Sequence, residues 1–288
     1  MELQSVTKAF KTKTVLKNID LAVDRGRVVG LLGKNGAGKT TLLKCAMGLL
    51  RLNSGTAKLF GEDAWNLSRE AKARLGYVPQ EPDLYMWMRV RHMVAFIAAF
   101  YSNWNHQLVS KLIAKWELNS DDKIAKLSVG QKQKLALILA MGHQPDLLVL
   151  DEPAASLDPQ ARRAFLSSLI DVASDEKRTV VLSTHLTSDL ERVATDIVML
   201  RSGEVTYAGP MDSLKDSVKT LKLTSRSRLP KKLDFPGILS CETDTNEALL
   251  TMRGVNPDVI RELEAVYSAD IEVRDLNLED IFVEVHRD

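Results

Sequence analysis

The chain has few cysteines, almost no net charge and no long apolar run. Two cysteines, Cys45 and Cys241, cannot form a disulfide framework, so a reducing compartment suits this sequence and we interpret both thiols as structural. The net charge of +1 creates no strong electrostatic attraction to nucleic acid or to an anionic bilayer. The longest apolar runs, around 93–100 and 135–141, fall short of the ~20 residues that span a bilayer. The N-terminus lacks the basic and apolar regions of a signal peptide. We therefore expect a globular chain that does not cross a membrane.

The composition favours one large domain with a smaller one. A chain of 288 residues with 45% apolar content can bury a sizeable core. We predict a first domain over residues 1–210 and a second over 211–288.

The most informative segment is Gly33–Thr40, which spells G-x-x-x-x-G-K-T directly after the apolar run 28–32. This context predicts a buried strand, a turn and a helix that opens at Thr40, so that backbone N–H groups converge on a β-phosphate. Lys39 would reach the β- and γ-phosphates, and the Thr40 hydroxyl would bind Mg²⁺. The alternative is a chance glycine-rich turn, and the flanking strand and helix pattern argues against it. The residues predicted to hold a nucleoside triphosphate here are Gly33, Asn35, Gly36, Ala37, Gly38, Lys39, Thr40 and Thr41.

A second apolar run, Leu147–Leu150, ends in two adjacent carboxylates. A strand that is buried on both faces would place Asp151 and Glu152 at the carboxyl edge of a sheet, beside the phosphate loop. Asp151 would then hold Mg²⁺ through water, and Glu152 would polarise the attacking water. An ordinary strand that ends in a solvated Asp-Glu pair is the alternative, and the presence of the phosphate loop argues against it.

The remaining pattern predicts an α/β fold of the P-loop NTPase type with a mixed central sheet. Residues 1–27 alternate like strands of a small antiparallel sheet, to which 55–61 adds a strand. Residues 84–143 have helical spacing and form a helical insert. From Pro145 onward, short strands alternate with helices, which implies parallel pairing. Residues 211–288 predict a small α+β appendage.

Between the phosphate loop and the Asp-Glu pair lies Leu127-Ser128-Val129-Gly130-Gln131, followed by Lys132-Gln133-Lys134. Taken alone, this segment could be a serine-capped helix start. Its position makes the chain resemble the ATP-binding subunit of an ABC transporter, with the L-S-G-G-Q signature turn that opens a helix. The resemblance implies that Ser128, Gly130 and Gln131 contact the ATP bound to an opposite subunit.

Further motifs of that family follow in order over residues 1 to about 210. Gln80, in Gly76–Glu81, resembles the Q-loop residue that reaches Mg²⁺ and senses the γ-phosphate. Ser156-Leu157-Asp158 resembles the D-loop, which crosses the dimer interface, so Asp158 would lie near the nucleotide. His185 resembles the switch histidine that bonds the γ-phosphate. Phe10 stands where the family has an aromatic residue that stacks on adenine, although core packing would also explain it.

Two features modify the resemblance. Val129 replaces the first glycine of the signature pair, and a β-branched residue resists positive φ and adds bulk, so we expect a weak ATP-bound dimer. The tail is too short for the OB-type domain seen in sugar importers, and 276–282 resembles the end of exporter-type subunits.

The resemblance implies an ATPase that dimerises, as a homodimer or heterodimer, around two Mg-ATP and powers a separate permease, with export favoured. It would act in the cytoplasm, peripheral on the inner face of the membrane, without binding nucleic acid. The alternatives are a soluble regulatory ATPase without a transport role and a nucleotide sensor without turnover. A translation factor of the superfamily would normally carry two such units, and a DNA-repair ATPase would need a coiled coil or zinc-binding cysteines.

Overall fold

The computed structural model describes residues 1–155, 157–173 and 178–285. Buried apolar strands, and the turns that end them, organise its first part. The described chain divides into two units, Met1–Ala208 and Gly209–Asp288. The first unit has the strands β1 (Glu2–Phe10), β2 (Lys13–Ala22), β3 (Val28–Leu32), β4 (Ser54–Leu59), β5 (Glu62–Asp63), β6 (Leu75–Val78), β7 (Leu147–Asp151), β8 (Thr179–Thr184), β9 (Asp196–Arg201) and β10 (Glu204–Pro210), the last of which runs into the second unit. Its helices are α1 (Lys39–Ala46), α2 (Arg69–Lys72), α3 (Val90–Ala98), α4 (His106–Lys115), α5 (Val129–Met141), α6 (Pro159–Ala173) and α7 (Thr187–Val193), with 3₁₀ turns at Ala64–Asn66 and Ile124–Lys126.

A six-stranded sheet in the order β10-β9-β3-β8-β7-β6 positions the functional residues. β3 pairs parallel with β8 and β9, and β7 pairs parallel with β6 and β8. β9 and β10 are joined by two residues only, which forces antiparallel pairing and makes the sheet mixed. Every residue of β3, β7 and β8 is buried, so these strands need apolar side chains on both faces. Their carboxyl ends meet at one edge, where Gly33 follows β3, Asp151 ends β7 and His185 follows β8.

The other predicted parts of the first unit surround this sheet. An antiparallel sheet has the order β2-β1-β4-β5, and its inward side chains share a core with α1 and the central sheet. The stretch 84–143 contains α3, α4 and α5. Within the described residues, no helix has the length and apolar character needed to cross a bilayer. The P-loop NTPase fold predicted from the sequence is therefore confirmed.

The second unit is an antiparallel sheet with its own core. It contains α8 (Met211–Ser217), β11 (Val218–Ser225), β12 (Ile238–Asp244), β13 (Glu247–Arg253), α9 (Pro257–Tyr267), β14 (Ala269–Asp275) and α10 (Leu278–Val285). The strands have the order β12-β13-β11-β14, and fully buried Leu221, Leu250 and Leu263 pack in one cluster. Neither α8, which is short, nor β12, whose residues are only half buried and alternate weakly, was predicted from the sequence pattern.

Candidate active site

The phosphate loop is shaped by glycines that no other residue could replace without strain. Gly36 and Gly38 have φ of +81° and +109°, which is the left-handed region. A Cβ on Gly33 would lie 2.7 Å from the carbonyl oxygen of Leu200 on the neighbouring strand. Gly38 is the N-cap of α1 and makes no side-chain hydrogen bond to the first N–H groups of this positive helix end. The loop can therefore receive an anion at the N-terminus of α1.

Lys39 is the first residue of α1 and its ammonium group is held inside the loop. Its Nζ donates to the carbonyl oxygen of Gly33 at 2.7 Å and forms an ion pair with Glu152 Oε1 at 2.9 Å. The two side chains are only 5% and 7% exposed. Because a buried cation needs a counter-charge, the carboxylate of Glu152 supplies it here.

Glu152 joins Lys39 to the predicted switch histidine. Its Oε2 lies 2.7 Å from Nδ1 of His185, and its backbone has a φ of +46°, which few non-glycine residues adopt. The backbone N–H of Glu152 donates to the hydroxyl of Ser183 at 2.9 Å. Strand pairing and side-chain bonds together hold this strained residue in a single place.

Asp151 lies beside the first turn of α1. Its Oδ1 accepts hydrogen bonds from the Thr40 hydroxyl at 3.0 Å and from the Ser183 hydroxyl at 2.7 Å. Ser183 is fully buried and pairs with Asp151 in the register of β7 and β8. No sequence pattern predicts a role for Ser183, and only the adjacency of these two strands reveals its contact with Asp151.

A cavity of about 370 Å³ lies over the loop. Its lining consists of Val15, Asn35, Gly36, Gly38, Lys39, Thr40, Thr41, Gln80 and Glu152. All of these except Val15 belong to the predicted site, so motifs far apart in sequence line one cavity. Gly33 and Ala37 are buried in the loop beside it. Val15 was missed because nothing distinguishes it from an ordinary strand residue.

Other predicted residues do not line this cavity. Phe10 is 45% exposed at the end of β1, and its ring contacts the ammonium group of Lys8, 4.9 Å from the centroid. Ser128 and Gln131 instead form a capping box at the start of α5, in which each side chain accepts a backbone N–H of the other. Gly130 lies between them in the first turn of this helix.

Asp158 caps the start of α6. The N–H groups of Ala161 and Gln160 both donate to its Oδ1 at 2.9 Å, and these bonds lower the pKa of this carboxyl. Asp158 is therefore an exposed, ionised cap. Its neighbour in the D-loop motif, Ser156, lies outside the described residues.

The backbone part of our expectation for Val129 is wrong. Val129 is the first residue of α5, and it is absent from the residues with positive φ among those the structure describes. A β-branched residue is tolerated at this helical position, so no backbone strain arises. Its side chain is 52% exposed, so any effect on nucleotide binding must come from its bulk.

Comparison with known proteins agrees with this geometry. The ABC transporter family model matches residues 16–155. The Nod factor export ATP-binding protein I of Burkholderia lata is 35% identical over 75% of this chain and 73% of its own length. The protein of that name from Neorhizobium galegae is 31% identical over 98% of this chain and 84% of its own length.

Solved structures have the same fold. An ATP-binding subunit of an ABC transporter has a TM-score of 0.65 and 27% identity, covering 75% of this chain and 91% of its own. A dimeric ATP-binding cassette with bound ADP and Pi also has a TM-score of 0.65, at 23% identity, covering 73% of this chain and 98% of its own. With its phosphate loop, paired carboxylates and signature helix, the chain belongs to the ATP-binding subunits of ABC transporters, and it is an ATPase.

Proposed function

We propose that the chain dimerises head to tail around two Mg-ATP and drives a separate membrane permease, most simply an exporter. The observation that carries this proposal is the buried carboxylate of Glu152, which lies between Lys39 and His185 beside the phosphate loop. Hydrolysis requires a positioned water and stabilised phosphate charge, and these three side chains supply both.

ATP and Glu152 compete for one cation in this scheme. The ammonium group of Lys39, now 2.9 Å from Glu152 Oε1, turns toward the β- and γ-phosphates when ATP enters. Glu152 is thereby released to orient the attacking water, and His185 holds the γ-phosphate. The exchange keeps a negative partner beside the buried cation at every stage.

The residues around Thr40 fit Mg²⁺. The Thr40 hydroxyl and the Asp151 carboxylate are hard oxygen donors only 3.0 Å apart, and Mg²⁺ prefers such donors together with phosphate oxygens and waters. Bound Mg²⁺ neutralises developing charge on the phosphates. Thr40 directly, Asp151 through water, and Gln80 from the cavity wall would hold it.

The signature turn fits the role of a cap on a partner's nucleotide. A Cβ on Gly130 would meet only ordinary contacts, at 3.4 Å from Leu157 Cδ2 and 3.8 Å from Ala161 Cβ. Nothing in the described part of this chain therefore requires glycine at this position, and close approach of an external group supplies the reason. Ser128 is exposed beside it, and Asp158 would approach the same interface.

An exposed aromatic cluster supports permease docking. Trp87 is 73% exposed, Tyr85 46% and Phe100 61%. The rings of Tyr85 and Phe96 are 5.6 Å apart, and those of Phe96 and Phe100 are 5.3 Å apart. Large adaptable apolar side chains suit an interface core. The two relatives named for Nod factor export support an export role, and such docking would hold the chain peripherally on the inner face of the cell membrane.

The dimer is tested with Glu152→Gln. The neutral amide keeps the shape of Glu152 but cannot polarise water, and it competes less for Lys39. We expect hydrolysis to stop while ATP binding is retained, so that a dimer accumulates with Mg-ATP on a sizing column but not with ADP. Wild-type activity should rise more than linearly with protein concentration. A Glu152→Gln protein that remains monomeric with Mg-ATP would contradict the shared site.

Adding Val129→Gly in this background should strengthen the dimer if side-chain bulk weakens it.

The docking surface is tested with Trp87→Ala. Because Trp87 is largely exposed, this change should leave ATP hydrolysis by the isolated subunit nearly intact and weaken its copurification with the permease. Trp65→Ala is a matched control, since Trp65 is 51% exposed on the first unit outside the aromatic cluster. Equal permease capture by both variants would place the docking surface elsewhere.

A further inference from the structure

Helix α5 carries a buried polar side chain beyond the signature turn. Gln133 lies on this helix five positions after Ser128 and is only 2% exposed. Its Nε2 donates to the backbone carbonyl oxygen of Gln80 at 2.8 Å. The helix that begins at the signature turn is therefore bonded directly to the segment whose side chain lines the ATP cavity.

Residues just before α5 also hold the loop that follows Gln80. After Gln80 the chain has no regular structure until α3, and backbone bonds run from Ile124 N–H to Met88 O at 2.9 Å and from Ala125 N–H to Met86 O at 3.1 Å. The loop between Gln80 and Met88 is thus bonded at both ends to residues just before or within α5. A shift of α5 would move both ends together.

Packing does not account for a glutamine at this position. Gln133 Oε1 is buried and has no hydrogen-bond partner among the described residues, an arrangement that opposes folding. A methionine would fill a similar volume without a buried, unsatisfied acceptor. The hydrogen bond donated to Gln80 is the feature that only the amide provides.

We propose that Gln133 is a positioning residue that couples the two ATP sites of the dimer, an inference that rests on the proposed function. The signature turn contacts the ATP of the partner, and Gln80 contacts the ATP of its own chain. Gln133 lies about 7–8 Å along the helix axis from Ser128. The rigid helix and the single hydrogen bond from Gln133 to Gln80 therefore connect the signature turn to Gln80. When the signature turn closes on the ATP of the partner, the helix thereby shifts Gln80 at the ATP of its own chain.

The test is Gln133→Met in the full chain. We expect kcat to fall about three- to tenfold, as for loss of one hydrogen bond of this kind, and the Hill coefficient for ATP to fall toward one. The Kd for ATP, measured at protein concentrations where the chain is monomeric, should stay within about twofold. The melting temperature should be unchanged or higher, because the unsatisfied Oε1 is gone. Gln107→Met, an exposed change on α4, should alter none of these quantities.

A double-variant measurement separates coupling from packing. In a Gln80→Ala background, where the target side chain is absent, adding Gln133→Met should lower kcat no further. A further decrease there, a lower melting temperature with parallel loss of ATP binding, or wild-type kcat and cooperativity in folded Gln133→Met would each overturn the proposal. A Glu152→Gln protein that stays monomeric with Mg-ATP would instead refute the dimer itself, and the coupling with it.

Discussion

The two units of this chain bury different kinds of side chain. The first unit buries Lys39, Asp151 and Glu152 at the edge of its central sheet, and also Asp189, whose pKa is raised by burial. Among the described residues of the second unit, the buried polar side chains are Thr220, Ser225 and Thr251, none of them charged. Since burying a charge opposes folding unless it is compensated, the three charges gathered beside the phosphate loop mark the candidate site for chemistry.

The architecture of the sheets explains this difference. Parallel strands end together, so β3, β7 and β8 bring the phosphate loop, the carboxylates and His185 to one edge. In the antiparallel sheet of the second unit, neighbouring strands end at opposite edges, and tight turns such as Thr245-Asn246 connect them. Such a sheet provides a core and a surface but gathers no functional loops at one edge.

The largest expected effect comes from removing the buried cation. Lys39→Ala should weaken ATP binding at least about tenfold and abolish measurable hydrolysis, since each hydrogen bond to a charged group contributes about 1.5–3 kcal/mol. Lys44→Ala, an exposed change on the same helix, is the control and should retain both properties. Nucleotide titration and phosphate release measure the two effects. Normal turnover in Lys39→Ala would show that ATP hydrolysis does not depend on this site of the first unit.

A matched pair of core variants sharpens the comparison. Leu148 in β7 and Leu250 in β13 are both fully buried, and truncating either to Ala should lower the free energy of unfolding of its own unit by about 2–5 kcal/mol. Leu148→Ala should also lower ATPase activity, because β7 positions Glu152. Leu250→Ala should leave basal ATPase nearly unchanged. If it abolished ATP binding in a folded protein, the second unit would take part in the chemistry.

The smallest effect concerns pH. His143 is 1% exposed, stacks on Tyr101 at 4.0 Å, and its pKa is lowered, chiefly by burial. A folded-state pKa below the unfolded value of about 6.5 means that its stabilising contribution is complete above that pH and is lost on acidification. His143→Phe should therefore lose less thermal stability between pH 7.5 and 5.5 than the wild type. The exposed His106→Phe control should behave like the wild type. If melting temperature depended on pH identically in all three proteins, His143 would not be a source of the stability lost on acidification.

The geometry of the phosphate loop and of the sheet edge could be predicted well, because local sequence determines it. The glycines of the phosphate loop require positive φ, and an apolar strand that ends in Asp151-Glu152 must bring both carboxylates to a sheet edge. The prediction for Val129 was wrong in its backbone part because a serine N-cap places the next residue in helical conformation. The catalytic and binding roles of the site residues, from Lys39 and Glu152 to Phe10, Asp158 and the signature residues, stay predictions.

The sequence by itself determined the P-loop fold, the ATP-binding motifs and the membership of the ABC family, because these depend on short spacings with strict conformational demands. Only the tertiary structure decided that Ser183 holds Asp151, that Glu152 pairs with Lys39 and His185, and that Gln133 holds Gln80. These contacts join residues 32 to 113 positions apart. They follow from strand order, register and helix packing, which arise from the burial of the whole core rather than from any local segment.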